Sequence, residues 1–236
     1  GGGPHLTPIA VSGVSGVGAL ASDDERTCVI AGGDSLRCWG TDLVVSQLAS
    51  FPGMQRLAIT AAVACVVMTD GHLRCGGDNS YGQLGNGTLV SPGSGTFVEA
   101  GGLTDITGVV VGAHWVCATH ATRAVSCWGL GLWGNLGNGR FGFALDPVAE
   151  PGVTAAAQLI GTAAGMCTRG AGVVRCWGGN RNQIFGAGQP DLLWNPVPIA
   201  ALAGATAIAA SNETPPSLCA VVAGRVACTN AAAEQT

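Results

Sequence analysis

Ten cysteines fall into five close pairs, and no other feature of this 236-residue chain limits its folding so severely. The pairs are Cys28 and Cys38, Cys65 and Cys75, Cys117 and Cys127, Cys167 and Cys176, and Cys219 and Cys228. Nine residues separate the members of three pairs and eight those of the other two. Between the members run short apolar segments around a turn, as in Cys65-Val-Val-Met-Thr-Asp-Gly-His-Leu-Arg-Cys75. A strand, a tight Asp-Gly turn and a returning strand set two such residues face to face, at the Cβ separation a disulfide needs. Zinc sites prefer cysteines two to four residues apart, and no pair here has that spacing. Cys-x-x-Cys-His is absent, and no cysteine is left over as a nucleophile. The spacing predicts five local disulfides. Such bonds persist in an oxidising compartment, so the expected location is extracellular or the cell surface.

Composition narrows the function classes. Charged residues are 10% of the chain, against roughly 25% in an average soluble domain. All ten basic residues are Arg, and the net charge is −4. That balance offers no basic field for a phosphate backbone, so no nucleic-acid partner is expected. With 47% apolar residues and a mean hydropathy of +0.40, the chain has ample material for a core. The opening Gly1-Gly2-Gly3-Pro4, without Met or a signal-like stretch, is what a mature secreted chain would show. The longest uncharged run, between Asp191 and Glu213, is broken by Asn195, Pro196 and Pro198; no membrane span is expected.

The cysteine pairs mark a repeat. First members step by 37, 52, 50 and 52 residues. Around them recur Leu36-Arg37-Cys38-Trp39-Gly40, Leu73-Arg74-Cys75-Gly76-Gly77, Val125-Ser126-Cys127-Trp128-Gly129 and Val174-Arg175-Cys176-Trp177-Gly178. A Gly-rich loop follows in two units, Ser80-Tyr81-Gly82-Gln83-Leu84-Gly85-Asn86-Gly87-Thr88 and Leu132-Trp133-Gly134-Asn135-Leu136-Gly137-Asn138-Gly139. A degraded copy stands at Asn182-Gln183-Ile184-Phe185-Gly186-Ala187-Gly188. Periods of forty to fifty residues with several short strands each are the mark of a propeller. The phrases resemble the repeats of the regulator of chromosome condensation family, and more narrowly its Cys-bearing secreted bacterial form. The resemblance covers almost the whole chain, with Trp replaced by Gly76 and Thr229 in two units and Gly-x-x-His kept only as Gly112-Ala113-His114. It implies a β-propeller with four-stranded blades. It does not imply a function, because that fold hosts several.

The expected fold is therefore all-β: a single five-bladed propeller over 1–236, with one hairpin disulfide per blade. Its repeats run roughly over 14–53, 54–102, 103–152, 153–203, and 204–236 plus 5–13. Four units carry an outer-strand phrase 19 or 20 residues before their first Cys, at Ile9, Val98, Val148 and Ile199, and Leu43 to Leu48 supplies a fifth. Thr7-Pro8-Ile9-Ala10 echoes Val197-Pro198-Ile199-Ala200, so the N-terminal strand is expected to complete the last blade and leave no long exposed edge.

Few residues suggest chemistry. Gly129-Leu130-Gly131-Leu132-Trp133-Gly134 reads as a dinucleotide fingerprint, but Asn135-Leu136-Gly137-Asn138-Gly139 cannot open the helix such a site requires. His114 and His120 flank Cys117 on one strand and His72 lies in a turn; all three read as structural, and His5 suggests no chemistry. Arg37, Arg74 and Arg175 recur before the second Cys and read as parts of the blade. Asp23-Asp24-Glu25 reads as a solvated turn rather than a calcium site. Asn86-Gly87-Thr88 and Asn212-Glu213-Thr214 fit the glycosylation pattern. Trp39, Trp128, Trp177 and Trp133 stand at repeat positions and read as packing. Phe141, Phe143 and Trp194 lie in variable loops, where rigid aromatic anchors could meet a partner.

No Ser-His-Asp set, carboxylate pair or metal cluster can be assembled from the sequence, so no catalytic residue, metal or cofactor is expected. The expected function is a non-enzymatic, self-associating structural subunit of an extracellular assembly, a filament, whose partners are copies of itself. The alternative is a monomeric module of inhibitor or adhesin type that binds another extracellular protein. The disulfides and acidic balance argue against a nuclear exchange factor.

Overall fold

The computed structural model describes residues 10–40, 43–162, 165–181, 183–211 and 217–229. These form nineteen strands and one short 3-10 turn at Ala200–Leu202, with no α-helix. The first sheet holds β1 (Val17–Ser22), β2 (Thr27–Ala31), β3 (Ser35–Trp39) and β4 (Ser46–Ser50). The second holds β5 (Met54–Ile59), β6 (Val63–Met68), β7 (Leu73–Gly77) and β8 (Val98–Glu99). In the third are β9 (Ile106–Val111), β10 (Trp115–His120), β11 (Val125–Leu130) and β12 (Phe143–Ala149). The fourth comprises β13 (Gln158–Gly161), β14 (Gly165–Gly170), β15 (Val173–Gly179) and β16 (Leu192–Pro198). The fifth has three described strands, β17 (Ala205–Ser211), β18 (Ser217–Val222) and β19 (Arg225–Cys228). Each sheet is an antiparallel meander in chain order. These are five blades of a β-propeller.

The second and third strands of each blade are joined by the short turns the cysteine spacing demands. Each pair of cysteines sits directly opposite in register, Cys28 with Cys38, Cys65 with Cys75, Cys117 with Cys127, Cys167 with Cys176 and Cys219 with Cys228. All five pairs are bonded, with Cα atoms 4.0–4.1 Å apart, the close approach available across an antiparallel pair. No described cysteine is free.

Alternation along the strands gives each blade two apolar faces, and successive blades stack face to face. Cys28, Ile30, Leu36 and Cys38 pack on Ala64, Val66 and Met68 of the second blade. The opposite face of that blade, Cys65, Val67, Leu73 and Cys75, packs on Val116, Ala118 and Trp128 of the third. The same pattern carries Cys117 and Cys127 onto Met166 and Trp177, then Cys167 and Cys176 onto Leu218 and Ala220. Each of the first four disulfides thus faces the next blade along the chain. Burying a Val, Leu or Ile side chain contributes roughly 1.5–3 kcal/mol, so these interfaces carry most of the stabilisation. The innermost strands β1, β5, β9, β13 and β17 touch in series; no comparable packing joins the described residues of the fifth blade back to the first.

One outer strand lies later than expected. Leu43 has a left-handed φ of 56° and its N–H bonds to Gly40 O, so the chain is still turning there and pairing begins only at Ser46. The strand expected around Ile9 lies outside the described residues except at Ala10 and Val11, which are not in a strand.

Candidate protein-binding surface

Between the third and fourth strands of blades two, three and four lie the Gly-rich loops, and buried amides shape them. Asn79 donates to Thr88 O (3.0 Å) and Val90 O (3.1 Å), and its Oδ1 accepts from Leu84 N–H (3.0 Å). Asn180 repeats this in blade four with Gln189 O (3.3 Å), Pro190 O (3.2 Å) and Phe185 N–H (2.8 Å). Blade three has Gly131 at that position, and Asn135 compensates by donating to Leu130 O at 2.7 Å. Asp78 braces the second loop. Its carboxylate accepts from the Ser80 hydroxyl (2.6 Å), Ser80 N–H (3.1 Å) and Gln83 Nε2 (2.9 Å). These bonds, the Ser80 hydroxyl first, hold Asp78 below the usual carboxylate range.

Each loop receives a side chain from the following blade. Trp128 Nε1 donates to Gln83 O at 2.8 Å, and Trp177 Nε1 to Asn135 O at 3.1 Å. Thr229, where the repeat would place Trp, donates its hydroxyl to Ile184 O. The glycines at this junction allow the approach, because a Cβ on Gly85 would lie 2.6 Å from Trp128 Nε1, and one on Gly137 would lie 2.8 Å from Trp177. The junction between blades one and two lacks both halves of the latch. The first blade has no Gly-rich loop, and Gly76 replaces Trp, leaving a cleft of about 320 Å³ between Arg26, Leu48, Gly76 and Phe97.

The same loops present aromatic side chains to solvent. Trp133 is 48% exposed with the Arg181 guanidinium 4.8 Å from its ring centre. Tyr81, at the equivalent place in blade two, meets His114 of blade three at 4.9 Å. Phe141 and Phe143 are 75% and 55% exposed, and half-buried Trp194 lies 6.3 Å from Phe141. Gly139 N–H bonds to Trp194 O at 2.9 Å, which draws the third blade's loop onto the fourth blade's outer strand. Of the three aromatics expected in variable loops, Phe141 lies in one, whereas Phe143 opens β12 and Trp194 lies within β16; Phe141 and Trp194 meet on one rim, and Phe143 lines a cleft beside Phe141, Arg140 and Asp146. Trp133 and Arg181 extend the aromatic surface and were missed as surface residues; the alignment of Trp133 with Tyr81 was the only signal of their place.

Asp105, His120 and Ser126 are a correction to the sequence reading. His120 Nδ1 lies 2.6 Å from Asp105 Oδ1 and its Nε2 lies 2.9 Å from Ser126 Oγ. The composition matches a nucleophilic triad. The geometry lacks access: Ser126 is buried in the middle of the third blade, beneath a His120 that is itself largely buried. The set is a brace tying the entry to β9 to β10 and β11.

The other described candidates make local contacts. Asp23 Oδ1 caps its own turn by accepting from Glu25 and Arg26 N–H, both at 2.8 Å. Among the described residues no three His, Cys, Asp or Glu cluster as metal ligands. His72 and Arg74 face Glu99, at 3.8 and 3.3 Å, and Arg37 donates to Gly13 O at 2.6 Å. Asn86 Oδ1 accepts from Thr88 N–H and Oγ within the loop. His5 and Asn212 lie outside the described residues. No described helix is long and apolar enough to cross a membrane.

No protein-family profile and no curated protein matches the chain. Solved structures do. Human WBSCR16 superposes with a TM-score of 0.73 at 16% identity, covering 90% of this chain and 62% of its own. Yeast RCC1 (Prp20), in its complex with Kap60, gives 0.70 at 15% identity, over 86% of this chain and 53% of that one. Prp20p from Saccharomyces cerevisiae, described with its binding to Gsp1p and histones, gives 0.69 at 16%, over 88% and 56%. The chain spans little more than half the length of these proteins. At such identities the likeness concerns architecture alone, and the architecture is the β-propeller of the RCC1 proteins, the regulators of chromosome condensation.

Proposed function

We propose that this chain is a non-enzymatic protein-binding module that acts outside the cell and associates with copies of itself as a structural subunit, forming a filament. Large apolar side chains left in solvent on a weakly charged molecule carry the reading. Phe141, Phe143, Trp133, Leu20 and Val226 are all exposed, and only 10% of residues bear charge to oppose association. The five disulfides support an oxidising location. The use of similar propellers to bind proteins, among them Kap60, Gsp1p and histones, supports a binding role. Sedimentation velocity over a wide concentration range tests the self-association. The expected outcome is a weight-average mass that climbs with concentration. A monomer at every concentration overturns it.

The second reading is a monomeric inhibitor or adhesin. The aromatic rim of Phe141, Phe143 and Trp194 favours it, since rigid rings at the centre of a contact supply most of an interface's energy. A monomer that binds a separate extracellular protein and loses that binding on Phe141→Ala would establish it.

A further inference from the structure

One packing rule governs every internal junction, and the described residues of the first and fifth blades each leave one half of it unmet. Inside the molecule, each disulfide face is covered by the next blade. Leu36, Leu73, Val125 and Val174 stand two residues before the second Cys and are fully buried there. Val226 holds the same position in the fifth blade and is 73% exposed. It pairs with Val221 across the hairpin, beside the Cys219–Cys228 bond, whose Cys228 is exposed while the cysteines of the other four bonds are buried. At the opposite end stands Trp39. Trp128 and Trp177 at its position are fully buried against the preceding blade's disulfide and donate to that blade's loop. Trp39 is only half-buried and its indole N–H has no partner among the described residues. Arg37, on the Trp39 side of the sheet, donates to Gly13 O, so the described part of the incoming segment meets that face at Arg37.

We infer that these two ends are the halves of one interface, and that the first blade of a second copy covers the fifth blade's disulfide face. Trp39 of that copy seats against Cys219, Cys228, Val221 and Val226, as Trp128 seats against Cys65 and Cys75 within the chain. The contact continues an interface that the molecule already forms internally. It is head-to-tail, so each copy that binds offers a fresh end, and the product is a ring or an open filament. The inference rests on the self-association proposed above and names its surface.

Two variants, each disabling one end, test it. Trp39→Ala keeps the fifth-blade face, and Val226→Asp keeps the Trp39 face. By light scattering after gel filtration, each variant alone is expected to be monomeric where the wild type is oligomeric. An equimolar mixture is expected to give dimers and nothing larger, because only one pair of competent ends remains. Five intact disulfides and an unchanged far-UV spectrum confirm folding. Val226→Asp alone keeps the test decisive if Trp39→Ala does not fold, since position 226 already faces solvent. A wild type that assembles together with variants that assemble equally overturns this interface and leaves self-association standing. A wild type that stays monomeric overturns both.

Discussion

Burial at a blade junction ties the protonation of Glu150 to the stability of this fold. Its N–H bonds to Val125 O as Ala100 bonds to Leu73 O and Ile199 to Val174 O, so sister blades place an apolar residue where blade three has a carboxyl. The side chain is buried with neither oxygen hydrogen-bonded, and burial raises its pKa from 4.5 to about 9. The folded state therefore holds a proton that the unfolded state releases. Stability from this source is fully present below about 4.5 and is lost as pH rises through about 9. The slope is at most about 1.4 kcal/mol per pH unit within that window. Urea unfolding from mildly acid to mildly alkaline pH should show wild-type stability falling, and Glu150→Gln should flatten the fall and be the more stable protein at the alkaline end. Equal slopes would show that Glu150 ionises freely in the fold. Nothing in the linear sequence marked this site, because burial at a blade junction is set by which blade follows, not by neighbouring residues.

At the scale of the element, the loop-to-blade latch joins sequence to packing. Hairpins, disulfides and the five-unit count were legible, because Cys spacing, the Asp70-Gly71 turn and repeated phrases are local signals. Thr229 was read only as a departure from Trp. The structure shows it keeping the bond to the preceding loop and also accepting from Leu218 N–H at 3.3 Å. Thr229→Val removes the hydroxyl at nearly constant volume and strands two buried backbone groups, so a loss of about 1–3 kcal/mol in urea unfolding is expected. Loss below a few tenths would mean the latch is ornamental. Restoring the repeat at blade two should fail. A Cβ on Gly76 would lie 2.6 Å from Thr96 O, so Gly76→Trp should destabilise the protein or misfold it despite matching the repeat, read as a lowered melting temperature or loss of folded yield. The Asp105–His120–Ser126 brace was illegible for a different reason: its members come from three successive strands or their approaches, and only the sheet register joins them.

For the whole molecule, the five disulfides are equivalent in covalent geometry and unequal in surroundings. Four are sealed between blades and one faces outward. Thiol exchange needs access to sulfur. Graded reduction followed by alkylation and peptide mapping of the monomeric protein should therefore open Cys219–Cys228 first, with the other four yielding together at a higher reductant concentration or on unfolding. Simultaneous loss of all five would mean the fifth face is covered.

The latches also run in one direction. The indoles of Trp128 and Trp177 and the Thr229 hydroxyl each reach back to the blade before, and each Gly-rich loop receives from the blade after it. A chain that emerges from its N-terminus thus builds each receptor before its ligand exists, and a nascent blade docks on a finished surface rather than searching for one. The same polarity makes lengthening asymmetric over evolutionary time. A duplicated unit that carries the indole finds a ready loop when it follows blade two, three or four, whereas one placed after blade one finds none.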